Sequence, residues 1–374
     1  MSAAHKANGA VSPACGEEAA LTSAAAQKEV ALGGVAQVAA GARAGNSVRD
    51  AKTGDGQQPA VLTAARAGRC PKIVFFDSGM GGLSVFTEVR KLNPDCAYYY
   101  LFDHEVFPYG EKSEAFLVAR VTTLLNKVSA CLAPDLIVIA CNTASTVVLD
   151  QIRPSFPIPI VGVVPAIKPA GELSRKRKIA LLATPGTVQR AYTQRLIANF
   201  AADCEVLRIG TVALVHLAEN CLLSEVSSYQ HSHQGSSWEE HTVATIGSGL
   251  QLNAAQEQEL RQILAPVTSL PSAQQPDVLI LGCTHFPLLK DHIAEIVGPQ
   301  IALVDSGAAI GRRVHTVLAQ QLKERLAQGS PNDRQVQAGA WTAWYTGQVS
   351  ALEHEQFAAT FAYFGFHQVQ ALTL

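Results

Sequence analysis

Two stretches of this 374-residue chain repeat one phrase around a cysteine. Asp135-Leu136-Ile137-Val138-Ile139-Ala140-Cys141-Asn142-Thr143-Ala144 parallels Asp277-Val278-Leu279-Ile280-Leu281-Gly282-Cys283-Thr284-His285-Phe286. Each runs from an aspartate through an apolar strand and a small residue to a thiol, with polar side chains next. Parallel sheets bind ligands beyond the carboxyl ends of their strands, which is where both thiols are expected. A following helix N-terminus favours thiolate over thiol. A single cysteine at such a turn is most simply a buried hydrophobe. Two in matching positions point to chemistry, against the alternative of sheet-end core residues left by a duplication.

A redox disulfide between them is disfavoured, because such partners usually share a C-x-x-C turn. Proton transfer from opposite sides of one carbon fits better. Inverting a stereocentre takes a base on one face and an acid on the other, and cysteine, with an ordinary pKa of about 8.5, is readily tuned for both roles. Each thiol has a candidate helper: Asp77 in the turn Asp77-Ser78-Gly79-Met80-Gly81-Gly82, and His285 two residues beyond Cys283. The plainer readings are a turn-capping aspartate and a hydrogen-bonded structural histidine. The glycine-rich turn lacks the G-x-G-x-x-G form, and no Walker P-loop occurs, so no nucleotide or nicotinamide cofactor is expected.

The elements that must hold these turns follow from the apolar pattern. Lys72–Phe76, Ala97–Phe102, Leu136–Ala140, Ile179–Ala183, Val278–Leu281, Ile301–Val304 and Trp341–Thr346 read as strands, with amphipathic helices such as Ser113–Leu132 between them. Buried strands alternating with helices predict an α/β fold with parallel sheets covered on both faces. Residues 1–70 contain no Phe, Tyr, Trp or Ile and predict a mobile Ala/Gly-rich tail. Glu17, Glu18 and Glu29 argue against a transit peptide. Residues 224–249, rich in Ser, His, Gln and Gly, predict an inserted loop. His231, His233, His241, Glu239 and Glu240 within it are a metal set only on paper, since no rigid element fixes them.

Composition narrows the function classes. A net charge of −2 gives no footprint for nucleic acid or an anionic membrane. No apolar run approaching a membrane span and no signal peptide is read, which points to the cytoplasm. The eight cysteines, including Cys15, Cys70, Cys96, Cys131, Cys204 and Cys221, are too sparse for a disulfide scaffold and are expected to be free thiols.

The chain resembles the glutamate racemases of the aspartate/glutamate racemase superfamily. The resemblance rests on FFDSGMGGLSV at Phe75–Val85, FPYGEKS at Phe107–Ser113, ACNTAS at Ala140–Ser145, VGVVPAIKPA at Val161–Ala170, LGCTHFPLL at Leu281–Leu289 and VDSG at Val304–Gly307. It implies two pseudo-symmetric α/β domains with the active site in the cleft between them: 71–167 plus 287–374, and 168–286. It implies no metal and no pyridoxal phosphate, glutamate as substrate, and supply of D-glutamate to bacterial peptidoglycan. It leaves monomer and homodimer open, and regulation by a peptidoglycan precursor, as in some relatives, likewise. Carried over residue by residue, Cys141 and Cys283 match the proton donor/acceptors, serving D- and L-glutamate respectively. Asp77 and Ser78, Tyr109 and Gly110, Asn142 and Thr143, and Thr284 and His285 match substrate contacts. No arginine stands in these motifs. The family's C-P-x-F/L-V-P-L-V-E is altered here to Thr211-Val212-Ala213-Leu214-Val215-His216-Leu217-Ala218-Glu219. Glu219 retains the acidic position, either as a partner of His285 or as a surface carboxylate. An aspartate or hydantoin racemase and a non-catalytic binding protein are the competing readings; retention of both cysteines with their polar neighbours argues against the last.

Overall fold

The computed structural model describes residues 70–232, 250–327 and 341–373. The sequence-predicted tail (1–70) lies outside these but for Cys70, as do His233, Glu239, Glu240 and His241 of the predicted metal set, whose His231 falls at the end of a helix. The first sheet has the order β10-β9-β2-β1-β3-β4, all parallel, from β1 (Lys72–Asp77), β2 (Ala97–Phe102), β3 (Leu136–Ile139), β4 (Ile160–Gly162), β9 (Thr342–Tyr345) and β10 (Gln368–Ala371). The second, also parallel, has the order β6-β5-β7-β8, from β5 (Lys178–Ala183), β6 (Glu205–Gly210), β7 (Val278–Leu281) and β8 (Ala302–Val304). The α/β expectation is met, because both sheets are built by crossover connections that only helices and loops on their faces can supply.

The pleat explains how β1 can be apolar throughout. Ile73 and Phe75 face a core of Phe86, Tyr98, Tyr100 and Phe361, while Val74 and Phe76 face Leu117, Val121 and Leu124. Those last three lie on α2 (Glu114–Leu132), capped by the Ser113 hydroxyl, which accepts from the Phe116 N–H. Contrary to the sequence reading, α2 is long and apolar enough to cross a membrane by length and composition. It carries Arg120 and Lys127, however, and its buried stripe is the face of a core helix.

Three further expectations are corrected. The predicted loop at 224–249 starts too early, since α7 (Ala213–Ser232) continues through its first nine residues. The boundary at 286/287 also falls too early: β8 pairs with β7, so the second sheet extends past residue 300. The chain rejoins the first sheet through α10 (Gly307–Ala327), which packs on α1 (Leu83–Leu92). Finally, Cys131 is disulfide-bonded, whereas Cys96, Cys141, Cys204 and Cys283 are free thiols.

In each sheet the strand order reverses once. β1 lies between β2 and β3, and β5 lies between β6 and β7. A crevice opens at the carboxyl edge of such a switch point. The register is the same in both: Phe76 pairs with Ile139, and Leu182 with Leu281. The backbone steps out identically, with Ala140 N–H on the Phe76 carbonyl and Gly282 N–H on that of Leu182, both at 2.7 Å. Cys141 and Cys283 therefore stand at equivalent points of two switch-point crevices.

Candidate active site

The two crevices face each other, and hydrogen bonds cross between them. Thr284 donates to Asp77 at 3.3 Å, and Ser84 donates to the Thr284 carbonyl at 2.8 Å. Cys141 is the N-cap of α3 (Asn142–Ile152), its sulfur accepting from the Ala144 N–H at 3.5 Å and lying 3.7 Å from the Ser78 hydroxyl. The helix end was expected to favour its thiolate. Burial instead pushes the Cys141 thiol well up, the Asp77 charge adds to this, and the Ala144 N–H only partly opposes them.

Asp77 ends β1 with both oxygens held. Oδ1 accepts from the Ser78 N–H at 2.7 Å and Oδ2 from the Gly82 N–H at 2.6 Å. Burial pushes its carboxyl up to about 6, against His285 and the two backbone N–H groups. The matching position in the second sheet, one residue past Leu182, is Ala183. The parallel between the two crevices breaks here: one thiol has a strand-end carboxylate and the other does not.

Cys283 has His285 instead, with Nδ1 3.7 Å from its sulfur. Nε2 lies 2.6 Å from the Glu219 carboxylate, which also accepts from the Met80 N–H. Glu219 is 7% exposed, so it is a buried partner of His285 rather than a surface carboxylate. Burial by itself would lower the histidine, but Glu219 and Cys283 override it and hold the imidazolium well above its ordinary range. With Nε2–H directed to Glu219, the Gly81 nitrogen at 3.2 Å is a packing contact. A Cβ on Gly81 would fall 2.3 Å from Nδ1, so only glycine lets the Asp77–Gly82 turn lie flat on the ring. The Phe107 ring flanks the imidazole with its centroid 5.7 Å away.

The remaining sequence-predicted residues divide. Ser78, Asn142, Thr143 and Thr284 are buried in the cleft, and Oδ1 of Asn142 has no protein partner. Gly110 abuts Thr184, with 2.9 Å between its Cβ position and the threonine Cβ. Tyr109 does not offer its hydroxyl: it donates to Asp103 at 2.6 Å, a carboxylate that also receives Arg120 and Thr346. Asp103 was missed in the sequence, as were Thr184, Thr187 and Arg190. The Thr143 hydroxyl lies 2.9 Å from that of Thr184 and 3.2 Å from that of Thr187. The Thr-Pro-Gly-Thr turn after β5 carried a signal, a hydroxyl pair at a strand-to-helix turn; Arg190 carried none.

A thiol pair at facing switch points, each with its own proton-handling partner, is the arrangement of a two-base racemase. The chain belongs to the Asp/Glu/Hydantoin racemase family, whose sequence profile matches residues 84–314. It is 45% identical to the glutamate racemase of Pectobacterium carotovorum over 67% of this chain and 77% of that one. To that of Vibrio vulnificus it is 47% identical over 67% and 82%. The crystal structure of Escherichia coli glutamate racemase with L-glutamate and the activator UDP-MurNAc-Ala superimposes with a TM-score of 0.66 at 38% identity. That match covers 81% of this chain and 98% of that one.

Proposed function

We propose that the protein interconverts L- and D-glutamate through Cys141 and Cys283, without a cofactor. The observation that carries the reading is the pairing of the thiols with different partners: Asp77 beside Cys141, and His285 with Glu219 beside Cys283. The Cys283 thiolate takes the α-proton of L-glutamate and becomes a thiol, with the imidazolium stabilising its anionic form beforehand. The electron pair left on the α-carbon delocalises into the adjacent carboxylate. The Cys141 thiol then gives its proton to the opposite face, leaving its own thiolate and D-glutamate. In reverse, the Asp77 carboxylate relieves Cys141 of its proton.

Ser78, Asn142, Thr143, Thr284 and the backbone at Tyr109 and Gly110 are the proposed carboxylate and ammonium contacts, with Thr184 and Thr187 added by the geometry. The two lobes act as pseudo-symmetric domains around this cleft. D-glutamate would supply peptidoglycan synthesis in a bacterial cytoplasm. The activator bound by the E. coli relative supports a peptidoglycan precursor as regulator here. Circular dichroism of the protein mixed separately with L-glutamate, D-glutamate and L-aspartate tests the reading. Loss of signal with both glutamate enantiomers is expected; loss with aspartate alone would transfer the assignment to an aspartate racemase.

A further inference from the structure

Arg190 follows α5 (Pro185–Gln189), in the second lobe, and is 8% exposed. Its Nη1 donates to the carbonyl of Thr143, in the first lobe, at 3.2 Å. Its Nε lies 3.4 Å from Glu114 Oε1, on a side chain that is 66% exposed. The guanidinium passes over Gly186, whose Cβ position is 3.3 Å from Nη1 and 2.8 Å from the Gly110 carbonyl. One buried cation therefore touches the turn that begins at Cys141 and borders the Pro-Tyr-Gly turn. Asp77 and Cys283 push the Cys141 thiol up, whereas the Arg190 guanidinium is favoured in its charged form by Cys141, so cation and sulfur attract.

We propose that Arg190 is a positioning residue for the Cys141 half of the cleft, fastening the Cys-Asn-Thr turn to the second lobe and lending its charge to the Cys141 sulfur. A guanidinium suits both tasks, because its planar fork holds a carbonyl while its charge survives burial. Its counter-ion Glu114 is mostly in solvent, so the field toward the cleft is only partly cancelled. The inference rests on the racemase reading for its catalytic consequence alone.

The test therefore reads the thiols without turnover: alkylation by iodoacetamide from pH 6 to 10, with the Cys141 and Cys283 peptides quantified separately by mass spectrometry. Arg190→Met is expected to raise the Cys141 midpoint by about one unit, a tenfold slower reaction at pH 8, with Cys283 unmoved. Arg190→Lys, which keeps the charge, should hold the midpoint near that of the parent. Glu114→Gln, at an exposed side chain, should move it slightly down, and this arm stands even if Arg190→Met fails to fold. In racemisation, Arg190→Met should lose more kcat with D-glutamate than with L-glutamate. An unmoved Cys141 midpoint in both Arg190→Met and Glu114→Gln, or equal shifts at both cysteines, overturns the proposal.

Discussion

Glu219 meets His285 at 2.6 Å across 66 residues of sequence, and both side chains are buried. Removing one member of such a pair leaves the other's charge without compensation. Glu219→Gln should cost about 1–3 kcal/mol of stability at neutral pH. The pH dependence has a definite sign. Because the folded state holds the His285 proton more tightly than the unfolded chain does, the pair's contribution is full below pH 6.5. It is lost as pH rises through the elevated folded value. Denaturant unfolding from pH 6.5 upward should therefore show the gap between parent and variant closing. A gap that widens on the alkaline side would refute the assignment.

Cys141→Ala and Cys283→Ala should each nearly abolish racemisation while leaving the fold intact. Both thiols sit at strand ends, where truncation costs less than a deep core cavity. Each variant keeps one base, so solvent deuterium should still enter one enantiomer and not the other. Near-parental racemisation by either variant would remove the two-thiol mechanism.

Asp77→Asn and His285→Asn are each expected to lower kcat by about 10²–10⁴-fold, the usual worth of acid–base assistance. The enantiomers are equally stable, so kcat/KM must fall equally in both directions, and asymmetry can appear only as a shared change in kcat and KM. Asp77→Asn should weigh on kcat for D-glutamate and His285→Asn on kcat for L-glutamate. In the parent, kcat for D-glutamate should fall on acidification through about pH 6, where Asp77 takes up its proton, and Asp77→Asn should lose that limb. Circular dichroism rates in both directions across pH 5–9 measure this, and equal losses in both directions would refute one helper per thiol.

Gly81→Ala puts a methyl group into the His285 ring, at 2.3–2.7 Å from three of its atoms. The ring and the turn cannot both stay, so about 1–3 kcal/mol of stability should be lost. Activity should drop at least tenfold, since the ring bridges Glu219 and Cys283. Thermal melts and rates, read together, check it; a parental rate would show that the turn can shift without moving the imidazole.

Much of the site was legible because its signals are local. Asp77, Cys141 and Cys283 stand where an apolar strand gives way to small and polar residues, and that pattern needs only a few neighbours to be read. Their equivalence was visible too, as the repeated phrase. Glu219 was legible only in part: its position suggested an acid, but not whether it was buried. The loop boundary failed because Ser and His are compatible with the end of a helix that begins on apolar residues 213–223. The domain boundary failed because β8, a strand of three residues, does not reveal by its sequence which sheet it joins.

The sequence by itself determined the α/β class, the two thiols at strand ends, the glycine-rich turn and the family. Each depends on periodicity or turn chemistry within about ten residues. Only the tertiary structure decided which side chains meet across the cleft. It turned Glu219 onto His285, spent the Tyr109 hydroxyl on Asp103, brought Thr184 and Thr187 to Thr143, and carried Arg190 to the Thr143 carbonyl. It also left Ala183 where the second thiol would otherwise have had its own aspartate. These contacts arise when two independently built sheets bring their carboxyl edges together, and no local pattern records the facing of two surfaces far apart in the chain.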